Sequence, residues 1–274
     1  MTGQTNLQAA LSKVPAVTLG FWIVKILATT LGETGGDTVT MTWLGETTDE
    51  ATGFGYLIGT AIFGVLLVLL IWFQIKARAF NAWLYWATIV ASTTTGTALA
   101  DFADRSLGVG YLGGSLILLA LVLLSLFSWH RTLGTIDVNT VSGLRVETFY
   151  WITITFSQTL GTALGDWMAD DSGLGYIGAA LVFLAALAIV VALYYRTHIS
   201  RVALFWAAFI LTRPFGATVG DFLDKPLDDG GLNLSRPVAS LVIAAAMVVL
   251  ILVIPQRPGV HPGATSRNGP GRPA

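Results

Sequence analysis

The chain has 274 residues, 54% hydrophobic and 11% charged, with a mean hydropathy of +0.71. That balance excludes an ordinary water-soluble domain and describes a chain whose solvent is mostly lipid. The absence of cysteine excludes disulfides, thiolate metal sites and cysteine nucleophiles, and a net charge of −1 gives no reason to expect a nucleic-acid partner.

The first sixteen residues, MTGQTNLQAALSKVPA, lack the basic start and short apolar stretch of a cleaved signal peptide. The first spanning helix is therefore expected to remain as the insertion signal. Apolar runs of about 20 residues, enough to cross roughly 30 Å of hydrocarbon, fall at 17–37, 54–75, 83–104, 110–130, 147–168, 174–195, 202–223 and 234–254. The expected fold is an all-α integral membrane protein with eight transmembrane helices, arranged as four parallel two-helix repeats over 17–75, 83–130, 147–195 and 202–254. Residues 1–254 form one transmembrane domain on this reading, and 255–274, rich in Pro, Gly and Arg, form a disordered cytoplasmic tail.

The repeat is carried by fixed offsets. An aromatic pair opens each copy (Phe21-Trp22, Tyr85-Trp86, Tyr150-Trp151, Phe205-Trp206). Ten residues after the Trp stands Gly32, Gly96, Gly161 or Gly216; fourteen after it Gly36, Ala100, Gly165 or Gly220; fifteen after it Asp37, Asp101, Asp166 or Asp221. The second helix of each repeat is almost pure Leu, Val, Ile and Ala, and three begin with Gly-x-Gly-Tyr at Gly53, Gly108 and Gly173. The fourth departs from this, reading Gly230-Gly231-Leu232-Asn233.

Basic residues set the orientation, because Lys and Arg near helix ends are retained in the cytoplasm. Lys13, Lys76, Arg78, Arg131, Arg145, Arg196, Arg201, Arg257, Arg267 and Arg272 fall on one side, and Arg105, Lys225 and Arg236 on the other. Both termini are accordingly expected in the cytoplasm, with the motif helices all running outward. The outer connections are acidic: Glu46, Asp49 and Glu50, then Asp104, Asp170 and Asp171, then Asp224, Asp228 and Asp229. Such a face attracts cations.

On a helix the glycine and the small residue four positions later share one face, giving Gly-x-x-x-small in every repeat. In lipid such residues let backbones approach, so Gly32, Gly36, Gly96, Ala100, Gly161, Gly165, Gly216 and Gly220 are expected at contacts between motif helices. In the first repeat Lys25, Thr29, Glu33 and Asp37 lie on the glycine side, with Ile23, Val24, Leu27 and Leu31 opposite. Thr93, Thr94, Thr97 and Asp101, then Gln158, Thr159, Thr162 and Asp166, then Thr212, Arg213, Thr218 and Asp221 continue the polar stripe.

Each Asp sits where the helix dipole disfavours a carboxylate, so a cation, a proton, Arg105 or Lys225, or interfacial water must offset it. Glu33 and Asp37, one turn apart, are placed to share a hard divalent cation. A Glu33–Arg213 ion pair would compete with that role, and Pro214 loosens the helix beside it.

The segments KILATTLGETGGD, FSQTLGTALGDWMADDSGLGY and LTRPFGATVGD resemble a family of uncharacterised bacterial multi-span proteins described as "membrane-anchored protein". The resemblance covers residues 13 to about 256 and implies the bacterial inner membrane, with no substrate to carry over. Glu33-Thr34-Gly35-Gly36-Asp37 is also loosely similar to the Glu-x-Gly-Asp signatures of manganese- and calcium-handling transporters, with an extra glycine and in one repeat alone.

The functional expectation is a transporter or channel for a small cation, possibly a divalent metal such as manganese. Its route is lined by Lys25, Thr29, Glu33, Asp37, Thr97, Asp101, Gln158, Asp166, Arg213 and Asp221, with Glu33, Asp37, Asp101, Asp166 and Asp221 as candidate metal ligands. Lipid and the small cation are the expected partners, with no cofactor. The alternatives are an accessory membrane subunit, or an intramembrane carboxylate enzyme; His130, His198 and His261 fall on the cytoplasmic side, remote from the carboxylates.

Overall fold

The computed structural model describes residues 11–48 and 51–260. Its long helices are α1 (Leu19–Asp37), α2 (Phe54–Lys76), α3 (Ala82–Asp101), α4 (Tyr111–Leu133), α5 (Leu144–Asp166), α6 (Gly175–Arg196), α7 (Arg201–Asp224) and α8 (Arg236–Val253). A short antiparallel pair joins β1 (Leu11–Pro15) to β2 (Pro258–Val260).

Local chemistry starts the motif helices. Thr18, Asn81 and Ser200 accept hydrogen bonds from the first-turn N–H groups of Phe21, Leu84 and Ala203, satisfying donors that a helix end leaves free. In α5 the Glu147 carboxylate reaches back to the Gly143 N–H at 2.9 Å. After each Asp, α1, α3 and α5 widen into a π-helical turn, at Thr38–Trp43, Phe102–Ser106 and Trp167–Asp171. The α7 helix runs through Pro214 without breaking and ends before Pro226, without such a turn.

The motif helices α1, α3, α5 and α7 form a closed ring, each packed on the next and α7 on α1. All point the same way, since their aromatic starts meet at one end (Phe21 with Trp86, Tyr85 with Trp151, Tyr150 with Trp206, Trp22 with Phe205). The apolar helices lie outside: α2, α4 and α6 pack on the motif helix that follows them, and α8 returns to α1.

The ring is seamed by glycine. A Cβ on Gly32 would strike Thr93, on Gly96 the backbone of Gln158, on Gly161 the Arg213 side chain, and on Gly216 Thr29. Each of these partners lies seven residues after its own Trp, so one rule is applied four times around the ring. One turn on, Gly36 meets Thr97, Gly165 meets Ala217 and Gly220 meets Glu33, while Ala100 is buried at the corresponding place. Close approach also lets hydroxyls bond across the seams: Thr93 donates to the Ala28 carbonyl, Thr97 to Gly32 and Thr29 to Thr212, each at 3.2 Å.

Five helices, α2, α4, α6, α7 and α8, are long and apolar enough to cross a membrane. The helices α1, α3 and α5 are not, because a helix enclosed by protein has no need of an apolar surface. Val24, expected on the outer side of α1, is fully buried in the core. At the aromatic end β1 closes the bundle: Lys13 pairs with Glu147 at 2.7 Å and donates to the last carbonyls of α2, Gln74 and Ile75. The expected disordered tail needs correction at its start. Gln256 accepts from the Trp86 indole at 3.0 Å and Pro258–Val260 form β2, because these residues find backbone and indole partners on the bundle. Residues 261–274, with His261, Arg267 and Arg272, lie outside the described residues, as do Asp49 and Glu50.

Two substitutions in one helix separate seam from surface. Gly32→Ala should lower the melting temperature in detergent, because an overpacked contact costs about 1–3 kcal/mol. Gly35→Ala, whose Cβ meets nothing within 4 Å, should leave it unchanged or raise it slightly. Equal melting temperatures would contradict the seam.

Candidate functional site

All ten residues expected along the stripe are buried, none more than 4% exposed. They form levels along the ring axis, one turn apart.

At the central level the four motif helices meet around one ion pair. Arg213 of α7 donates from Nη1 to Glu33 Oε2 of α1 at 2.8 Å. Its Nη2 donates to Thr97 of α3 at 2.7 Å and to Thr162 of α5. Gly161 makes room for the Arg213 stem. A buried pair is tolerable only when the remaining donors and acceptors are also satisfied, and the two threonines do most of that.

The next level holds the four aspartates, arranged as two clamped pairs. Arg105 binds Asp101 at 2.8 Å and reaches Asp166 at 3.8 Å. Lys225 binds Asp37 at 2.6 Å and Asp221 at 3.1 Å. Both cations stand nineteen residues after their Trp, in alternate repeats, and each bridges its own Asp to that of the next motif helix. Burial works against the Lys225 ammonium, but Asp221, Asp37 and Asp224 outweigh it and hold its proton above the usual lysine range.

Carboxylate oxygens of Glu33, Asp166 and Asp221 lie within 4.8 Å of one another, as do those of Asp37, Asp221 and Asp224. Of the two readings of Glu33, the structure has the ion pair with Arg213, and Lys225 binds Asp37, so a divalent cation shared by Glu33 and Asp37 would compete with both.

Beyond the aspartates opens a cavity of about 1050 Å³, lined in part by Arg105, Asp170, Tyr176, Asp224, Lys225 and Arg236. Glu46, expected to add to an acidic face, instead accepts from the N–H groups of Gly53 and Gly55 at the start of α2.

Among the described residues, Lys25 Nζ, both amide atoms of Gln158, Arg213 Nε, Asp101 Oδ2 and Asp37 Oδ1 are buried without a hydrogen-bond partner. They come from all four motif helices.

Sequence reasoning named Glu33, Arg213 and the aspartates, gave Arg105 and Lys225 only as possible counterions and Thr162 only as part of the stripe, and left Asp224 out of the site. The offset of nineteen residues was the available signal for Arg105 and Lys225, and the offset of eleven, shared by Glu33, Thr97 and Thr162, for Thr162. Asp224 belongs to no repeated offset.

Removing one partner of the central pair leaves the other charged and buried. Arg213→Met should therefore cost about 3–5 kcal/mol of stability, seen as a lower melting temperature in detergent. The double variant Glu33→Gln with Arg213→Met should recover much of the loss; additive losses would mean the two side chains are not coupled.

Four stretches of the chain, 20–80, 84–135, 149–200 and 204–255, match one family model, described as Repeat of Unknown Function (DUF347). No curated protein and no solved structure matches the chain.

Proposed function

Starting from a chain that belongs to the DUF347 repeat family, we propose that it is a multi-pass protein of the bacterial inner membrane that moves a small cation along the axis of its four motif helices. The membrane reading rests on the outer helices. They expose Leu57, Ile62, Val65, Val68 and Leu69 on α2, and comparable residues on α4, α6 and α8. From Phe54 to Trp72, both more than half exposed, α2 rises about 27 Å, close to the thickness of a hydrocarbon core. The motif helices run beside these for a similar length, so all eight cross together even though three are too polar to do so alone.

Orientation is argued from charge. The three basic residues at the carboxylate end, Arg105, Lys225 and Arg236, all face carboxylates within 4 Å. Lys76, Arg78, Arg131, Arg145, Arg196 and Arg201 are exposed at the aromatic end, which supports the reading that this end and both termini face the cytoplasm.

The observation that carries the transport reading is that all four motif helices bury polar atoms without a partner among the described residues, from Lys25 and Gln158 to the aspartates. Buried donors and acceptors require partners, and a row of them through a membrane marks a route for water or a charged solute. The pairing of every central carboxylate level with an internal cation favours a proton or another monovalent cation over a divalent metal, which would first have to displace an ammonium or a guanidinium.

Purified protein in liposomes loaded with a cation- or pH-sensitive dye provides the test. The wild type should pass a monovalent cation or protons down a gradient, and Asp166→Asn and Asp221→Asn should each slow this by about tenfold or more, equivalent to about 1.4 kcal/mol on the barrier. Flux that is absent in the wild type, or unchanged in both variants, removes the reading.

A further inference from the structure

Lys25 is the axis residue whose chemistry packing does not explain. The other repeats place Ile89, Ile154 and Phe209 at the same offset, all fully buried, so hydrocarbon fills this level wherever filling is the only need. Lys25 is itself fully buried, and among the described residues its Nζ has no hydrogen-bond partner and joins no ion pair. Its amine lies 4.2 Å from the centroid of the Phe209 ring, and one turn beyond Phe209 on α7 stands another cation, Arg213.

The surroundings hold few other groups that titrate. Outward on its own helix, Glu33 is eight residues away, about 12 Å, and is bound by Arg213. From α3 and α5 the neighbouring offsets bring Ile89, Thr93, Ile154 and Gln158, none ionisable. Toward the cytoplasm the next such groups are the hydroxyls of Tyr85 and Tyr150, bonded to each other at 2.7 Å. From α8 the same core holds Met247 and Ile251.

An ammonium without a carboxylate is costly inside a membrane. A permanent structural charge here would have only the face of the Phe209 ring to offset that cost, whereas a group that loads and unloads a proton bears it only in passing. Of the side chains on this level, only the lysine amine can do so.

We infer that Lys25 is a proton-carrying site, and that the cation moved along the axis is the proton. A proton carried by water from the Glu33 level adds to the Nζ lone pair, one N–H bond forming as an O–H bond of hydronium breaks; on release toward the Tyr85–Tyr150 pair that N–H bond breaks and water on the cytoplasmic side takes up the proton. This inference rests on the axis being the route proposed above.

The experiment is proton flux into liposomes carrying the full chain, followed with an entrapped pH dye, for wild type, Lys25→Arg, Lys25→Met and Lys25→Gln. Arginine keeps the charge and the contact with Phe209 but holds its proton at any working pH, so a merely structural cation would survive in that variant. A proton carrier would not, and all three variants should lose flux by about a hundredfold while retaining monodispersity in detergent. Near wild-type proton flux in any folded variant without the amine overturns the inference. Wild-type vesicles that pass potassium but not protons overturn it too, and leave the transport reading standing; vesicles that pass neither overturn both.

Discussion

The structure depends on one contact made four times: the residue seven positions past the tryptophan of one motif helix, by its side chain in three seams and its backbone at Gln158, sits on the glycine ten positions past the tryptophan of its neighbour. In lipid, burying apolar side chains against each other gains little over leaving them in the acyl chains, so association must come from close packing and from bonds across the seam. The seams supply both, because backbones near enough for glycine contact are near enough for Thr29, Thr93 and Thr97 to donate to carbonyls of the adjacent helix. The last seam, Gly216 on Thr29, closes the ring between the fourth repeat and the first, and α8 covers the join by packing on α1.

Closing the ring creates an electrostatic problem and limits its solutions. Parallel helices with an aspartate at one offset bring four carboxylates to one level, at helix ends whose dipoles oppose them. Charges of one sign held this close in a medium of low dielectric are unstable unless paired. The chain answers with cations in alternate repeats, Arg105 and Lys225, so the fourfold backbone carries a twofold charge pattern. One level down, a single Glu33–Arg213 pair breaks even that symmetry. The identity of the residues at an offset therefore separates two demands: glycine and small residues recur because the backbone requires them, and axis residues differ because the chemistry does.

Much of this was legible in the sequence. The repeats, the helix pairs and the small-residue seam follow from offsets that need no coordinates, and so does the convergence of the aspartates once parallel direction is granted. Which repeats are neighbours, and which side chain enters which seam, do not follow, because a periodic pattern fixes a face and not the rotation of one helix against another. Hence Val24 was read as an outer residue, whereas packing encloses it. The counterions Arg105, Lys225 and Arg213 were legible but their reach across helices was not: Lys225 contacts both its own Asp221 and Asp37, a residue 188 positions away, and only the second contact depends on ring closure. The order of residues 255–260 was missed because proline and glycine mark a lack of helix, and the strand they form borrows its partner from the opposite end of the chain.

The two ends of the axis are built differently, and this constrains how any solute crosses it. At the aromatic end tryptophans and tyrosines fill the ring, and β1 and β2 lie beneath them, with Lys13 tying the strand to α2 and α5. At the other end the closure is ionic, and the cavity beyond it opens outward. A packed aromatic layer yields only by moving side chains or strands, whereas an ion pair exchanges partners with water at small displacement. On the proposed function, the outer level therefore equilibrates readily with its surroundings and the aromatic layer sets the rate. The stiff glycine seams between them hold the central Glu33–Arg213 level in place while the ends move.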